Sequence, residues 1–242
     1  MTPSIHLYRY LPAWGQADIS PFCRKVLAYL DHRGWPYQAQ TVAPNQSPTG
    51  KLPCAVIDGQ VVADSSRILA VLEQRHPQPL DAHLSPAQQA LSRAIQSLLE
   101  EDLYFVLVWL RWVDDAGWAH YRPVIRQYLQ TVKVPGWVSG FVADRIRASV
   151  AKSLRMQGVG RRSPAEIEAR GVELVDAFHT LLGEGPYVLG EQMHLIDFSA
   201  VALIDGLLSP PFDHAVARHA RSLPRLVAYA ARMNAPRLTP AG

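Results

Sequence analysis

Cysteine is scarce in this chain. Its 242 residues include only Cys23 and Cys54, too few for a disulfide framework, and a reducing compartment is the simplest reading. Long apolar runs are missing as well. The most apolar stretch near mid-chain, LYFVLVWLRWV (103–113), is interrupted by Arg111 and too short to span a bilayer. The opening MTPSIHLYRYLP lacks the apolar core of a signal peptide, so the expected location is cytoplasmic. No run of like charge occurs, the formal net charge is only +3, and no basic stripe interleaves with aromatics, which argues against nucleic acid as a partner. Nine histidines are scattered without ligand spacing, so no metal site is expected. No internal repeat or low-complexity segment stands out.

What is present suits a globular chain with much buried helix: 48% hydrophobic against 19% charged residues. IHLYRY (5–10) alternates and reads as a strand. A loop follows, and then Phe22, Val26, Tyr29 and Leu30 recur at helical spacing. Ser20 stands at the N-cap, Pro21 at the first helical position and Gly34 at the end. WPYQAQTV (35–42) reads as a parallel edge strand, demoted to the edge by Pro36. CAVI and QVVA flank Asp58-Gly59, a two-residue hairpin signal. DSSRILAVLEQRHP then reads as a helix that stops before Pro77. The order β-α-β, β-β-α is that of a thioredoxin-like domain.

Three segments carry a family resemblance. SPFCRKVLAYL, SPTGKLPCAVIDG and VADSSRILAVLE, in this order, resemble the N-terminal domain of cytosolic glutathione S-transferases. The long loop before SPFC, the segment SPTGKLP and the later LRMQGVGRRSPAEI resemble most the failed-axon-connections and metaxin-like branch of that superfamily. The resemblance implies an α+β protein, with a thioredoxin-like glutathione-binding domain over 1–78 and an all-helical domain over 86–242 that contributes the electrophile site. It implies glutathione as co-substrate, a small hydrophobic electrophile as the other partner, and a homodimer.

The residues themselves fit that chemistry. A glutathione thiol must lose its proton to attack an electrophile. A helix N-terminus favours the resulting thiolate, and a hydroxyl placed there donates to sulfur without reacting. The resemblance to serine-type transferases gives Ser20 this role, which competes with plain capping of its own helix. Tyr8 and Tyr10, at the end of the first strand, are the other hydroxyl candidates. Cys23, three residues after Ser20, reads as a small buried hydrophobe or as a reactive thiol. The resemblance makes Pro53 cis, so that Leu52 pairs with the peptide as an added strand would. Lys51 is placed to meet the glycine carboxylate of glutathione, Ser65 the γ-glutamyl carboxylate at a helix N-terminus, and Asp64 the α-amino group. Asp64 stands where the family usually carries a longer Glu or Gln.

Everything after residue 85 reads as helix. In 86–117 Tyr104, Val108, Arg111 and Trp112 share a face. The family's electrophile site borders this helix, which makes Tyr104, Trp109 and Arg111 the expected lining. Arg111 would attract an anionic substrate there or pair with Asp115. RRSPAEI is a helix start with a capping box from Ser163 to Glu166. LIDFSAVALIDGLL is apolar almost all round and should be buried. His194 stands where the family has a capping hydroxyl, so a weaker, pH-sensitive cap is expected there. Two other readings stay open beside the transferase: a non-catalytic interaction module on the same fold, and a glutathione-dependent lyase, isomerase or thiol reductase.

Overall fold

The computed structural model describes residues 2–235. Strand β1 (Ile5–Arg9) buries Ile5 and Leu7 and leads through a long loop into helix α1 (Pro21–Arg33). Strand β2 (Gln38–Thr41) is short and mostly exposed, as an edge strand should be. Strands β3 (Cys54–Ile57) and β4 (Gln60–Ala63) join through Asp58-Gly59, whose φ angles of 49° and 81° are the paired left-handed values that a two-residue hairpin requires. Helix α2 (Ser65–Glu73) follows. The sheet order is β2-β1-β3-β4, with β1 and β2 parallel and the other pairs antiparallel. These are the layers of a thioredoxin-like fold, and all of its elements fall where their sequence signals lie.

The rest is helical among the described residues: α3 (Pro86–Ser97), a π turn (Leu98–Leu103), α4 (Tyr104–Trp112), α5 (Asp115–Thr131), α6 (Gly136–Gln157), α7 (Pro164–Leu182), α8 (Leu195–Leu208), α9 (Ala215–Ser222) and α10 (Pro224–Asn234). One core cluster lies between the helices and a second between the sheet and helices α1 and α2; Phe198 of α8 belongs to the second. A third cluster joins the loop before α1, through Leu11 and Ile19, to Trp118, Tyr121, Ile125 and Tyr128 of α5. It fastens the α5–α6 pair over the N-terminus of α1.

The cap of α8 differs from expectation. The His194 ring does not cap the helix; its Nδ1 lies 3.1 Å from Leu80 O and 3.2 Å from the Asp81 carboxylate. Asp81, in the segment between the sheet layer and α3, accepts the Leu195 N–H at 3.0 Å, while Asp197 accepts the His194 N–H at 2.9 Å. The missing hydroxyl is replaced by a carboxylate more than a hundred residues away in sequence.

Candidate active site

Strand register brings the expected site residues to one end of the sheet. Cys54 pairs with Tyr8 on one side and Ala63 on the other. The end of β1, the Leu52–Pro53 peptide and the start of α2 therefore lie together. That peptide is cis, as the resemblance implied. Ser47 fixes the approach to it by donating its hydroxyl to Lys51 O at 2.8 Å; the Lys51 side chain is exposed.

Ser20 is half-buried and is the N-cap of α1, its Oγ accepting the Cys23 N–H at 3.4 Å. Its own N–H donates to Asp18 Oδ1 at 2.8 Å. Asp18 is buried, with Arg9 at 3.5 Å. Burial pushes its carboxyl up to about 7, against the pull of the Ser20 N–H and the Arg9 charge. Cys23 lies wholly inside. Burial and the Asp18 carboxylate hold its thiol well above the usual range. Such a thiol is a poor nucleophile.

At α2, the Asp64 Oδ1 atom accepts the N–H groups of Ser66 and Arg67 at 2.9 and 3.1 Å. Its second oxygen makes no hydrogen bond among the described residues. Ser65 is 3% exposed. Beneath them lies a network absent from the sequence reading. The Lys25 ammonium, 3% exposed, donates to Ser66 Oγ at 2.7 Å and to Glu100 Oε1 at 2.6 Å. Glu100 also accepts from Ser199 at 2.6 Å and from Gln96 at 2.9 Å. This cluster ties the first turns of α1 and α2 to the π turn and α8. Nothing local marks it, because Lys25 and Glu100 read as surface charges.

A cavity of about 470 Å³ opens in front of Ser20. Ser20, Phe22, Leu52, Tyr10, Tyr104 and Arg111 line it, together with Tyr121, Ile125 and Tyr128 of α5 and Ile146, Ser149 and Val150 of α6. Of the expected residues, Ser20, Leu52, Tyr104 and Arg111 therefore meet in one space. Lys51, Pro53, Asp64 and Ser65 lie at the sheet end beside it and do not line it. Tyr10 lines the cavity and Tyr8 does not. Trp109 is a correction: it is 6% exposed and packs in the helical core. It lies five residues beyond Tyr104, which on a helix is most of the way to the opposite face from the Tyr104–Val108–Arg111–Trp112 stripe. The α5 and α6 lining was missed, although Trp118, Tyr121, Ile125 and Tyr128 carry the helical spacing that could have exposed it.

Arg111 departs from expectation too. It does not pair with Asp115, which holds Arg147 at 2.7 Å. Its guanidinium is buried and donates to Ile19 O at 3.1 Å and Gly206 O at 3.0 Å. Gly206 makes room for it, since a Cβ there would lie 2.8 Å from Nη2.

Comparison with known proteins agrees with this geometry. The sequence model of the glutathione S-transferase N-terminal domain matches residues 21–117. The chain is 36% identical over 235 residues to the isoprene-epoxide glutathione S-transferase of Rhodococcus sp. (strain AD45), covering 95% of this chain and 97% of that one. It is 26% identical over 209 residues to failed axon connections of Drosophila melanogaster, covering 84% of this chain and half of that protein. The structure of a Ceriporiopsis subvermispora glutathione S-transferase in complex with glutathione superposes with a TM-score of 0.67 at 16% identity, covering 99% and 100% of the two chains. A thioredoxin-like layer with a cis-proline end, a helical layer roofing a cavity beside it, and a full-length relative at this identity lead to one conclusion: the chain belongs to the glutathione S-transferase family, with likeness to its failed-axon-connections and metaxin branch.

Proposed function

We propose that the protein conjugates glutathione to a small, mostly apolar electrophile and that Ser20 steadies the thiolate. The observation that carries this reading is the position of Ser20, a half-buried hydroxyl at a helix N-terminus on the wall of a largely apolar cavity. Helix α1 contributes the positive end of its dipole there. Leu52 offers its backbone to the peptide, Ser65 and the first turn of α2 receive the γ-glutamyl carboxylate, the free oxygen of Asp64 receives the amine, and Lys51 meets the glycine carboxylate. An epoxide as small as the one named for the Rhodococcus relative fits a cavity of this size. The full burial of Cys23 argues against a thiol reductase. Cytoplasmic location, a detoxifying role and a homodimer belong to the same proposal and follow the family resemblance; two buried, unpaired thiols are consistent with a reducing compartment.

The test is calorimetry with glutathione, followed by turnover of a panel of electrophiles. Ser20→Ala should lower turnover by about tenfold to a hundredfold, roughly 1–3 kcal/mol of transition-state stabilisation, as for one well-placed donor. It should also raise the pKa of bound glutathione, read from thiolate absorbance against pH. Cys23→Ala should leave conjugation nearly unchanged. Loss of activity in Cys23→Ala with Ser20→Ala intact would overturn the serine-type reading.

A further inference from the structure

Among the described residues, the α4 wall of the cavity holds a charge without a counterion. Arg111 is 5% exposed. It pairs with no carboxylate among the described residues, and its Nε makes no hydrogen bond. Asp205, the chain neighbour of the Gly206 whose carbonyl Arg111 meets, is taken by Arg24. Nη1 and Nη2 each donate one hydrogen bond, to the backbone carbonyls of Ile19 and Gly206. A buried cation left like this is costly unless something polar comes to it.

Two phenols share its wall. Tyr104 lies seven residues earlier on the same helical face, and Tyr121 comes from α5; both line the cavity. Neither phenol oxygen has a hydrogen-bond partner among the described residues, whereas Tyr128 spends its hydroxyl on Val42 O at 2.7 Å. Burial raises both phenols, and the Arg111 charge pulls both back down. The rest of the lining is chiefly aliphatic and aromatic. An apolar cavity that keeps one cation and two free O–H donors on one side is built to receive negative charge on a small atom of an otherwise apolar ligand.

We propose that Tyr104, Tyr121 and Arg111 form an oxygen-stabilising subsite, and that the electrophiles this cavity selects are those whose bond breaking leaves charge on oxygen, namely oxiranes. The inference rests on the glutathione-conjugating reading above. In the step, the glutathione sulfur attacks one oxirane carbon. A C–S bond forms, the C–O bond breaks, and its electron pair goes to oxygen. That oxygen takes the phenol proton of Tyr104 or Tyr121. The phenolate, stabilised by Arg111, regains a proton from water, matching the proton that the glutathione thiol released to solvent. The phenols are the groups that touch the reacting oxygen; Arg111 acts through them. A halide leaving group carries its charge away without a proton, so it makes no such demand.

The experiment compares 1,2-epoxybutane with 1-iodobutane, which share a carbon chain and differ in the leaving atom. Glutathione affinity is measured by calorimetry in every variant. Tyr104→Phe and Tyr121→Phe should each lower kcat on the epoxide about tenfold or more, and the double variant about a hundredfold or more, while the iodide rate stays within about twofold. Arg111→Gln should lower the epoxide-to-iodide ratio and Arg111→Lys should restore part of it. If Arg111→Gln does not fold, the two tyrosine variants decide. Equal losses on both electrophiles, or no loss on either, would overturn the subsite. A wild type that binds glutathione and turns over the iodide but not the epoxide overturns this inference and leaves the proposed function standing. A wild type that does not bind glutathione removes both.

Discussion

The two sides of the cavity spend their polar groups in opposite ways. On the α1–α2 side the buried charges are committed to other parts of the protein. Lys25, Glu100, Ser66, Gln96 and Ser199 satisfy one another, and Asp18 is held by Ser20 and Arg9. On the α4–α5 side Tyr104, Tyr121 and the Nε of Arg111 make no such bonds. The first pattern suits recognition of one invariant, charged peptide, because donors locked in advance lose little freedom on binding. The second suits a site whose polar groups are kept for an oxygen that gains charge only as the reaction proceeds.

The comparison can be broken most severely at Lys25. Lys25→Met leaves the largely buried Glu100 with two remaining donors, Ser199 and Gln96, but without its cation, and should cost about 3–5 kcal/mol of stability. Urea unfolding reads the loss. If the locked network matters for glutathione, the affinity that remains in the folded fraction should fall too. A variant as stable as the parent would show that the network is not what holds α1 to α2.

Asp18 gives the next effect, and its sign can be worked out. Its carboxyl keeps a proton to about pH 7 in the folded chain and loses it near the ordinary value of 3.8 when unfolded. Between these limits the folded state binds more protons, so this group's contribution to stability falls as pH rises from about 4 to about 7. Asp18→Asn keeps an acceptor for the Ser20 N–H and cannot ionise. The stability difference between parent and variant should therefore shift toward the variant by roughly 2–4 kcal/mol across that window. A difference that is flat with pH in thermal melts would show that Asp18 ionises freely in place.

The smallest effect sharpens the comparison rather than breaking it. Ser65→Ala should weaken glutathione binding by about 1.5–3 kcal/mol, as for one hydrogen bond to a charged group. The fold, and the preference between an epoxide and a halide, should not change. Calorimetry that finds unchanged affinity would reduce Ser65 to part of a helix start.

How much of this was legible depended on range along the chain. The Ser20 cap, the Asp58-Gly59 hairpin and the α2 start were readable because each is decided within four or five residues. Tyr104 and Arg111 were readable as partners because one helical face carries both. Trp109 shares that helix but not that face, and it packs in the helical core instead. Lys25 and Glu100 lie 75 residues apart and meet only once α1 packs on the π turn. The Asp81 cap of α8 spans 114 residues. The α5–α6 roof could be read as apolar helix, but periodicity does not say which surface a helix will cover.

Helix α8 has a consequence of another kind. It packs along α1, joined by the Arg24–Asp205 pair, by Ser199 reaching the Lys25 partner Glu100, and by Phe198 set edge-on against Tyr29 with centroids 5.5 Å apart. The line that divides the chain by sequence order thus runs through a single cooperative block. In native-state hydrogen exchange the amides of α1 and α8 should open together, at a free energy close to that of global unfolding. Grafting this sheet layer onto a foreign helical layer would expose the face that α8 covers. A working chimera would have to carry α8 along with α1, so the unit of exchange between relatives is set by shared packing and not by the linker.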